Sequence, residues 1–426
     1  MTGTEGSRRP EKLVIVGQGY VGLPIAMRAA RAGFQVTGYD TDPVRVAALR
    51  EGVSYVEDIP DEALISCMEN GTFTPTDDVR TLAEFDYAII TVPTPLKETV
   101  PDLSFIEAAA VDLALHVRRG STVVLESTTY PGTTEELLVP MLEDGSGLKA
   151  SQDFFVGYSP ERIDPGNRQY TFENTPKVVS GIDPKSLEHV AGLYERLVDE
   201  VIRVSSPKTA ELTKLLENTF RHVNIALVNE LAVFAHDLGI DVWEAIDAAT
   251  TKPFGYMRFT PGPGVGGHCL PVDPSYLSWQ VRRTLGNNFR FVELANDVND
   301  HMPNYVVQRV TAGLNAKRKA VNGTRVLLIG LAYKKNTGDA RESPALRVAD
   351  LLQERGAIIS AVDPYVEDHK LPSFIRLVDL DEASLADVDA VVILTDHDDL
   401  DYTLLERTDA YVLDTRRRLG GVREVI

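Results

Sequence analysis

The chain has 426 residues, 43% apolar and 25% charged, enough for about three units of ordinary domain size and an ample core. A formal net charge of -20 at pH 7 argues against nucleic acid or an anionic membrane as partner, although a local cluster of Lys and Arg can still receive an anionic ligand. Two distant cysteines, Cys67 and Cys269, make no disulfide framework and point to a reducing cytoplasm; no signal peptide, spanning helix or metal site is expected.

The first element is a strand, Leu13 to Val16, that runs into G-x-G-x-x-G at Gly17, Gly19 and Gly22. In that pattern the first glycine permits a tight turn, the second lets a pyrophosphate approach the backbone, and the third lets helix pack on strand. A helix over Val21–Ala32 ends at Gly33, and a second strand, Gln35 to Tyr39, delivers Asp40. A carboxylate there takes the adenosine ribose hydroxyls and repels the extra phosphate of NADP, so the expected cofactor is NAD. Arg45 flanks the same position, where a solvated helix charge is the plainer reading. Cys67, within A-L-I-S-C-M, reads as a buried structural thiol.

Strands are expected at Tyr87–Val92 and Thr122–Glu126, each followed by a polar loop. Ligands in an open parallel sheet lie beyond the carboxyl ends of the strands. This places Thr94 and Thr128 as hydroxyl donors toward the nicotinamide, and Glu161 and Asp164, in the next such loop, as active-site carboxylates. Residues 206–240 read as one long helix with Pro207 near its start and Gly239 at its end. Leu212, Leu215, Leu216, Phe220, Val223, Leu227 and Leu231 recur at helical spacing. Lys214 and Asn218 interrupt that stripe one turn apart, a cation and an amide that can be aimed at one oxygen. So long a helix between two α/β units is also a natural dimer surface.

Residues 253–276 are crowded with glycine and proline around Cys269, with His268 and Asp273 close by. The expectation is an irregular segment whose backbone amides are left open to a ligand and whose cysteine is a nucleophile rather than a buried small hydrophobe. From about residue 323 the α/β pattern returns without G-x-G-x-x-G. Its first strand leads to Lys334, Lys335 and Arg341, a basic cluster where anions bind. An NAD site together with a thiolate suggests oxidation of an alcohol through an aldehyde and a thioester to an acid.

Taken together, G-x-G-Y-V-G-L-P at 17–24, E-S-T at 126–128, S-P-E at 159–161, K-x-x-x-N at 214–218, G-G-H-C-L-P-x-D at 266–273 and T-G-D-x-R-E-S-P-A at 337–345 resemble the UDP-glucose/GDP-mannose dehydrogenase family, the nucleotide-sugar 6-dehydrogenases, over nearly the whole chain. The resemblance implies an α/β protein of two Rossmann-like parallel-sheet domains joined by a long central helix and a helical dimerisation region. Its parts would be an NAD-binding domain over 1–205, a central domain carrying the cysteine loop over 206–315 and a UDP-binding domain over 316–426. It casts Cys269 as nucleophile, Lys214 and Asn218 as polarising the oxygen on the sugar's sixth carbon, Asp273 and Thr128 as acting through water, and Glu161 as helping thioester hydrolysis. Gly17, Gly19, Tyr20, Val21, Gly22, Asp40, Arg45, Thr94, Thr128 and Arg341 would serve NAD. Glu161, Arg162, Lys214, Asn218, Phe254, Tyr256, Arg258, Gly266 and Lys334 would serve a UDP-sugar, in a homodimer.

Val272 stands where members acting on UDP-glucose carry lysine, and Pro165 where they carry a second glutamate. Both lean toward the N-acetylhexosamine branch and UDP-GlcNAc, with UDP-glucose or dTDP-glucose of an antibiotic-sugar pathway as the alternative. Two other classes stay open: a two-electron 3-hydroxy acid dehydrogenase of the same fold, and a non-catalytic NAD-binding protein.

Overall fold

Four aliphatic side chains between Lys12 and Gly17 make β1 (Lys12–Val16), which lies inside an eight-stranded sheet. The computed structural model describes residues 9–56, 59–97, 100–163, 169–267, 270, 272–419 and 424–426. The chain divides into two units, residues 1–217 and 218–426.

The first unit continues with β2 (Gln35–Tyr39), β3 (Phe73–Thr76), β4 (Tyr87–Ile90), a small hairpin of β5 (Leu96–Lys97) and β6 (Val100–Pro101), then β7 (Thr122–Leu125), β8 (Phe155–Tyr158), β9 (Lys177–Gly181) and β10 (Val201–Arg203). The sheet order is β10-β9-β8-β7-β4-β1-β2-β3. The chain reverses direction across the sheet between β1 and β4, the switch point at which such sheets bind ligands. Neighbours pair in parallel from β3 to β8, whereas β9 runs antiparallel to β8 and parallel to β10. Along β1, Leu13 and Ile15 enter one core while Val14 and Val16 enter the other. Burial on both faces is what a continuous apolar run allows, at about 1.5–3 kcal/mol for each fully buried aliphatic side chain.

The second unit holds β11 (Arg325–Ile329), β12 (Ile358–Val362), β13 (Arg376–Leu377), β14 (Ala390–Ile393), β15 (Tyr411–Asp414) and β16 (Glu424–Val425) in the all-parallel order β13-β12-β11-β14-β15-β16. Val326 and Leu328 of β11 share a core with Val228 and Ala232 of the long helix, with Trp243 and Ile246, and with Val306 and Val310. On its other face, Leu327 and Ile329 pack with Val391, Ile393 and Leu405. The fold is thus mixed α/β with two large sheets of Rossmann type.

Two expectations are corrected. The strands expected to reach Val92 and Glu126 stop at Ile90 and Leu125; after the first of them, Thr91 turns its hydroxyl onto the carbonyls of Val16 and Gly17, both at 2.9 Å. The irregular stretch ends before Val272, where the helix Val272–Leu285 begins with Asp273 in its first turn, a place that favours an acid and tolerates Pro274. The apolar stripe of the long helix, Pro207–Asp237, is mainly a surface: Leu215 is buried, but Leu212, Leu216, Phe220, Leu227 and Leu231 are exposed.

Candidate active site

The G-x-G-x-x-G turn is built as its residue types demand. Gly17 has φ +92°, and a Cβ there would stand 2.9 Å from the carbonyl oxygen of Thr91. A Cβ on Gly22 would meet the carbonyl oxygen of Gly17 at 1.8 Å, so this glycine is required by the helix–strand contact. At Gly19 a Cβ would meet no described atom within 4 Å. Protein packing therefore does not explain Gly19, whereas a ligand lying on the backbone would. The helix Gly22–Arg31 starts at Val21 with no side-chain cap among the described residues; the Leu23 amide is taken by the Gly19 carbonyl at 3.1 Å and Pro24 has none, so it is the positive end of the helix dipole at Val21 and Gly22 that suits an anion. Tyr20 is exposed beside them.

Asp40, buried at the end of β2, accepts the Gln18 amide at 2.8 Å and the Asp42 amide at 2.9 Å. Arg45 reaches it at 3.6 Å. Tyr55, missed in the sequence, donates its hydroxyl to the Gln18 carbonyl at 2.6 Å and braces this turn. These groups fit a dinucleotide: a turn with room for phosphate, an uncapped helix start and a carboxylate at the second strand. Thr94 and Thr128 are half-buried in the loops after β4 and β7.

The same carboxyl edge of the first sheet holds a buried charge cluster. Glu126 follows β7 and Glu161 follows β8; Lys177 opens β9, and Tyr194 ends the helix Pro184–Tyr194. The Lys177 ammonium contacts one oxygen of Glu126 and lies 3.3 Å from Glu161 Oε2. Tyr194 donates its hydroxyl to the other oxygen of Glu126. Glu161 also accepts the Ile163 amide through Oε1, and its own carbonyl takes the Lys214 ammonium at 2.6 Å.

Burial, with the Glu161 charge and hydrogen bond, pushes the Glu126 carboxyl up to about 8 against the pull of Lys177. Glu161 goes the other way. Burial would raise it, but the Lys177 charge, the Glu126 hydrogen bond, the Ile163 amide and the Lys214 charge hold it below the ordinary carboxylate value. The two carboxyl groups are thus pushed in opposite directions, Glu126 up and Glu161 down.

Within the first unit, the structure thus brings together Glu161 and Lys214, which lie 53 positions apart. Lys214 is buried rather than solvated. Arg162 is engaged by protein groups, with the Pro176 carbonyl at 2.6 Å and Glu217 at 2.7 Å. A turn away on the long helix, Glu211 is buried and accepts the Gly132 amide at 2.6 Å, the Thr134 amide at 2.9 Å and the Thr134 hydroxyl at 2.7 Å. It fixes the loop that follows Thr128.

In the second unit, Asn218 donates to buried Asp273. His268, Cys269 and Pro271 lie outside the described residues, as do Asp164 and Pro165; Cys67 is buried in the helix Asp61–Glu69. The glycines before Cys269 are packed closely against protein where a Cβ would stand. A Cβ on Gly262 would lie 2.7 Å from an Arg416 guanidinium nitrogen, and one on Gly266 would lie 2.7 Å from the Glu342 carbonyl. The Gly262 amide is already taken by Asn229 at 2.9 Å.

Phe254, Tyr256 and Arg258 are exposed, and Arg258 pairs with Asp247 at 2.7 Å. Arg341 meets Asp339 with two parallel bonds, at 2.8 and 2.7 Å. Lys334 is half-buried nearby. Asp363 ends β12, as Asp40 ends β2, but it is occupied by protein. It accepts the Leu331 amide at 2.7 Å, the Ala332 amide at 3.0 Å and His397 at 3.0 Å. A dinucleotide ribose would find no open carboxylate there, in keeping with the missing G-x-G-x-x-G.

Among the described residues, no helix is long and apolar enough to cross a membrane. Three domain models of one family match the chain: the NAD binding domain over residues 11–198, the central domain over 208–301 and the UDP binding domain over 327–420. The chain is 38% identical to the UDP-N-acetyl-D-glucosamine 6-dehydrogenase of Pseudomonas aeruginosa, over 83% of each. It is 36% identical to the UDP-N-acetyl-D-mannosamine dehydrogenase of Pyrococcus horikoshii, over 91% of this chain and 89% of that one. Among solved structures, the UDP-D-ManNAc dehydrogenase of Pyrococcus horikoshii superposes with a TM-score of 0.87 at 32% identity, covering 97% of this chain and 99% of that one. With its NAD-type turn, its second Rossmann sheet and these relatives, the chain belongs to the UDP-glucose/GDP-mannose dehydrogenase family and is an NAD-dependent UDP-sugar dehydrogenase.

Proposed function

We propose that this chain oxidises the primary alcohol of UDP-GlcNAc to the uronate in two steps that pass through a thioester on Cys269. The observation that carries the reading is the buried Lys214 ammonium on the Glu161 carbonyl, which joins two of the residues assigned to the chemistry. Gly17, Gly19, Gly22 and Asp40 would hold NAD, which would supply the hydride acceptor for each oxidation. Lys214 and Asn218 polarise the oxygen on the sixth carbon. Asp273 and Thr128 handle the alcohol proton through water. The Cys269 thiolate adds to the aldehyde, and loss of a second hydride from that adduct leaves the thioester. Glu161 then activates the water that releases the acid and returns the thiol.

The N-acetylated sugar is favoured by Val272 and Pro165, and by relatives named for UDP-GlcNAc and UDP-ManNAc. Domain limits of 1–205, 206–315 and 316–426 go with this assignment, as do Phe254, Tyr256, Arg258, Gly266 and Lys334 on the sugar nucleotide. A free catalytic thiol suits a reducing cytoplasm. The test is side-by-side turnover of UDP-GlcNAc, UDP-ManNAc, UDP-glucose and dTDP-glucose with NADH counted per sugar. The reading expects two NADH and the highest kcat/KM for UDP-GlcNAc; one NADH per substrate would mean a two-electron enzyme.

The protein acts as a homodimer through the exposed face of the long helix. Leu212, Leu216, Phe220, Leu227, Leu231 and Phe234 recur at helical spacing and are exposed, the kind of apolar face that marks an interaction site. Leu227→Glu with Leu231→Glu is expected to move the sedimentation coefficient from dimer to monomer. Each buried leucine would contribute about 1.5–3 kcal/mol to the interface, so a dimer unchanged in the double variant would place the interface elsewhere.

A further inference from the structure

Lys177 has a side chain only 3% exposed, yet it is surrounded by groups that need its charge. Its ammonium touches Glu126, lies 3.3 Å from Glu161 and sits 5.3 and 5.4 Å from the ring centres of Phe172 and Tyr194. Two carboxyl groups, an ammonium and a phenol are drawn out of water together, from the ends of β7 and β8, the start of β9 and the end of a helix. Buried ion clusters of this kind give little net stability compared with apolar packing of the same volume. This one lies at the carboxyl edge of the sheet, where ligands of open α/β sheets bind.

The contacts have a direction. Both oxygens of Glu126 are occupied, one by Lys177 and the other by the Tyr194 hydroxyl. Lys177, thus held, meets Glu161 Oε2, while the Ile163 amide takes Oε1. Burial falls off along the same line, with side-chain exposure 0% at Glu126, 3% at Lys177 and 10% at Glu161. Glu161 is the member nearest solvent, and the other two stand behind it.

We propose that Lys177, anchored by Glu126 and Tyr194, is the positioning residue that aims the Glu161 carboxylate at the water that hydrolyses the thioester. The proposal rests on the hydrolytic role assigned to Glu161. Lys177 touches neither substrate nor cofactor in it; by holding Oε2 while the Ile163 amide holds Oε1, it fixes the rotation of the carboxylate and leaves the remaining lone pairs as hydrogen-bond acceptors. Hydride transfer does not depend on this aim, whereas release of the acid does.

Three variants test it: Glu161→Gln, Lys177→Met and Tyr194→Phe, each in stopped-flow NADH formation with saturating UDP-GlcNAc. The expected result for Lys177→Met is a rapid burst of two NADH per site at a rate within about threefold of wild type. A steady state slowed about 100-fold should follow, with KM changed less than about threefold and the thioester adduct visible by intact-protein mass spectrometry. Tyr194→Phe keeps the packing and should show the same burst with a steady state slowed about fivefold. A parallel loss of burst and steady state, or no change in either, overturns the proposal. If Lys177→Met does not fold, Tyr194→Phe decides by the same criteria. Glu161→Gln separates the two ideas. Its stalling after two NADH while the other variants turn over normally overturns the role of Lys177 alone, and its normal turnover overturns the role of Glu161 and the proposal with it.

Discussion

Cys269→Ser is expected to cut steady-state formation of the uronate by at least about 10³-fold, with at most one NADH released per sugar and the aldehyde left bound. A thiol near its ordinary range supplies some thiolate at neutral pH, and basic neighbours increase it, whereas a serine hydroxyl stays protonated without a dedicated base. The hydroxyl is therefore a poor addend to the aldehyde, and without the adduct the second hydride has no leaving position. The replacement is nearly isosteric, so the melting temperature should shift little. Quenched-flow counting of NADH against uronate measures the effect. A variant that still delivers two NADH per sugar would end the thioester mechanism, and one NADH from both proteins would point to the two-electron hydroxy acid reading.

How much of this was legible in the sequence depended on the range of the interactions. The turn at Gly17–Gly22 and the acid at Asp40 are local features, and each stands where its spacing puts it. The apolar runs of β1 and β11 were readable as buried strands because both their faces are covered. The helix Arg290–Ala316 was hidden by Pro303 in its interior, since a proline there normally argues for a break. The stripe on the long helix was visible as a period, but periodicity does not say whether an apolar face meets the core or a partner.

The carboxyl-edge cluster was only partly legible. Glu126 was readable within E-S-T, but Lys177, in P-K-V-V-S, looks like any solvated charge at the start of a strand. Its burial comes from the antiparallel seating of β9 on β8 and from Tyr194, a contact between distant segments that no local pattern encodes. The glycines at 262–267 were legible only in part for a related reason. Absence of a side chain signals a close approach, but whether ligand or protein approaches is decided by loops far along the chain, here Arg416 and Glu342.

Lys214→Met is expected to lower kcat by about 10²–10³-fold, the usual loss when one donor to a developing oxyanion is removed. In the structure the apolar stripe of the long helix is mainly exposed and Lys214 is buried, its ammonium 2.6 Å from the Glu161 carbonyl. Removing the ammonium leaves that carbonyl without this donor, at about 1–3 kcal/mol. Truncation to alanine would add a cavity on top of this, which is why methionine, of similar length, is the better replacement. Loss of the charge also relaxes one of the forces that keep Glu161 ionised, so the Glu161 carboxyl should move up toward the ordinary range. Thermal melting and single-turnover NADH formation, measured on the same preparation, separate the two effects. A folded variant whose first hydride transfer stays within about threefold of wild type would leave Lys214 as a brace for the Glu161 loop with no part in polarising the sugar oxygen.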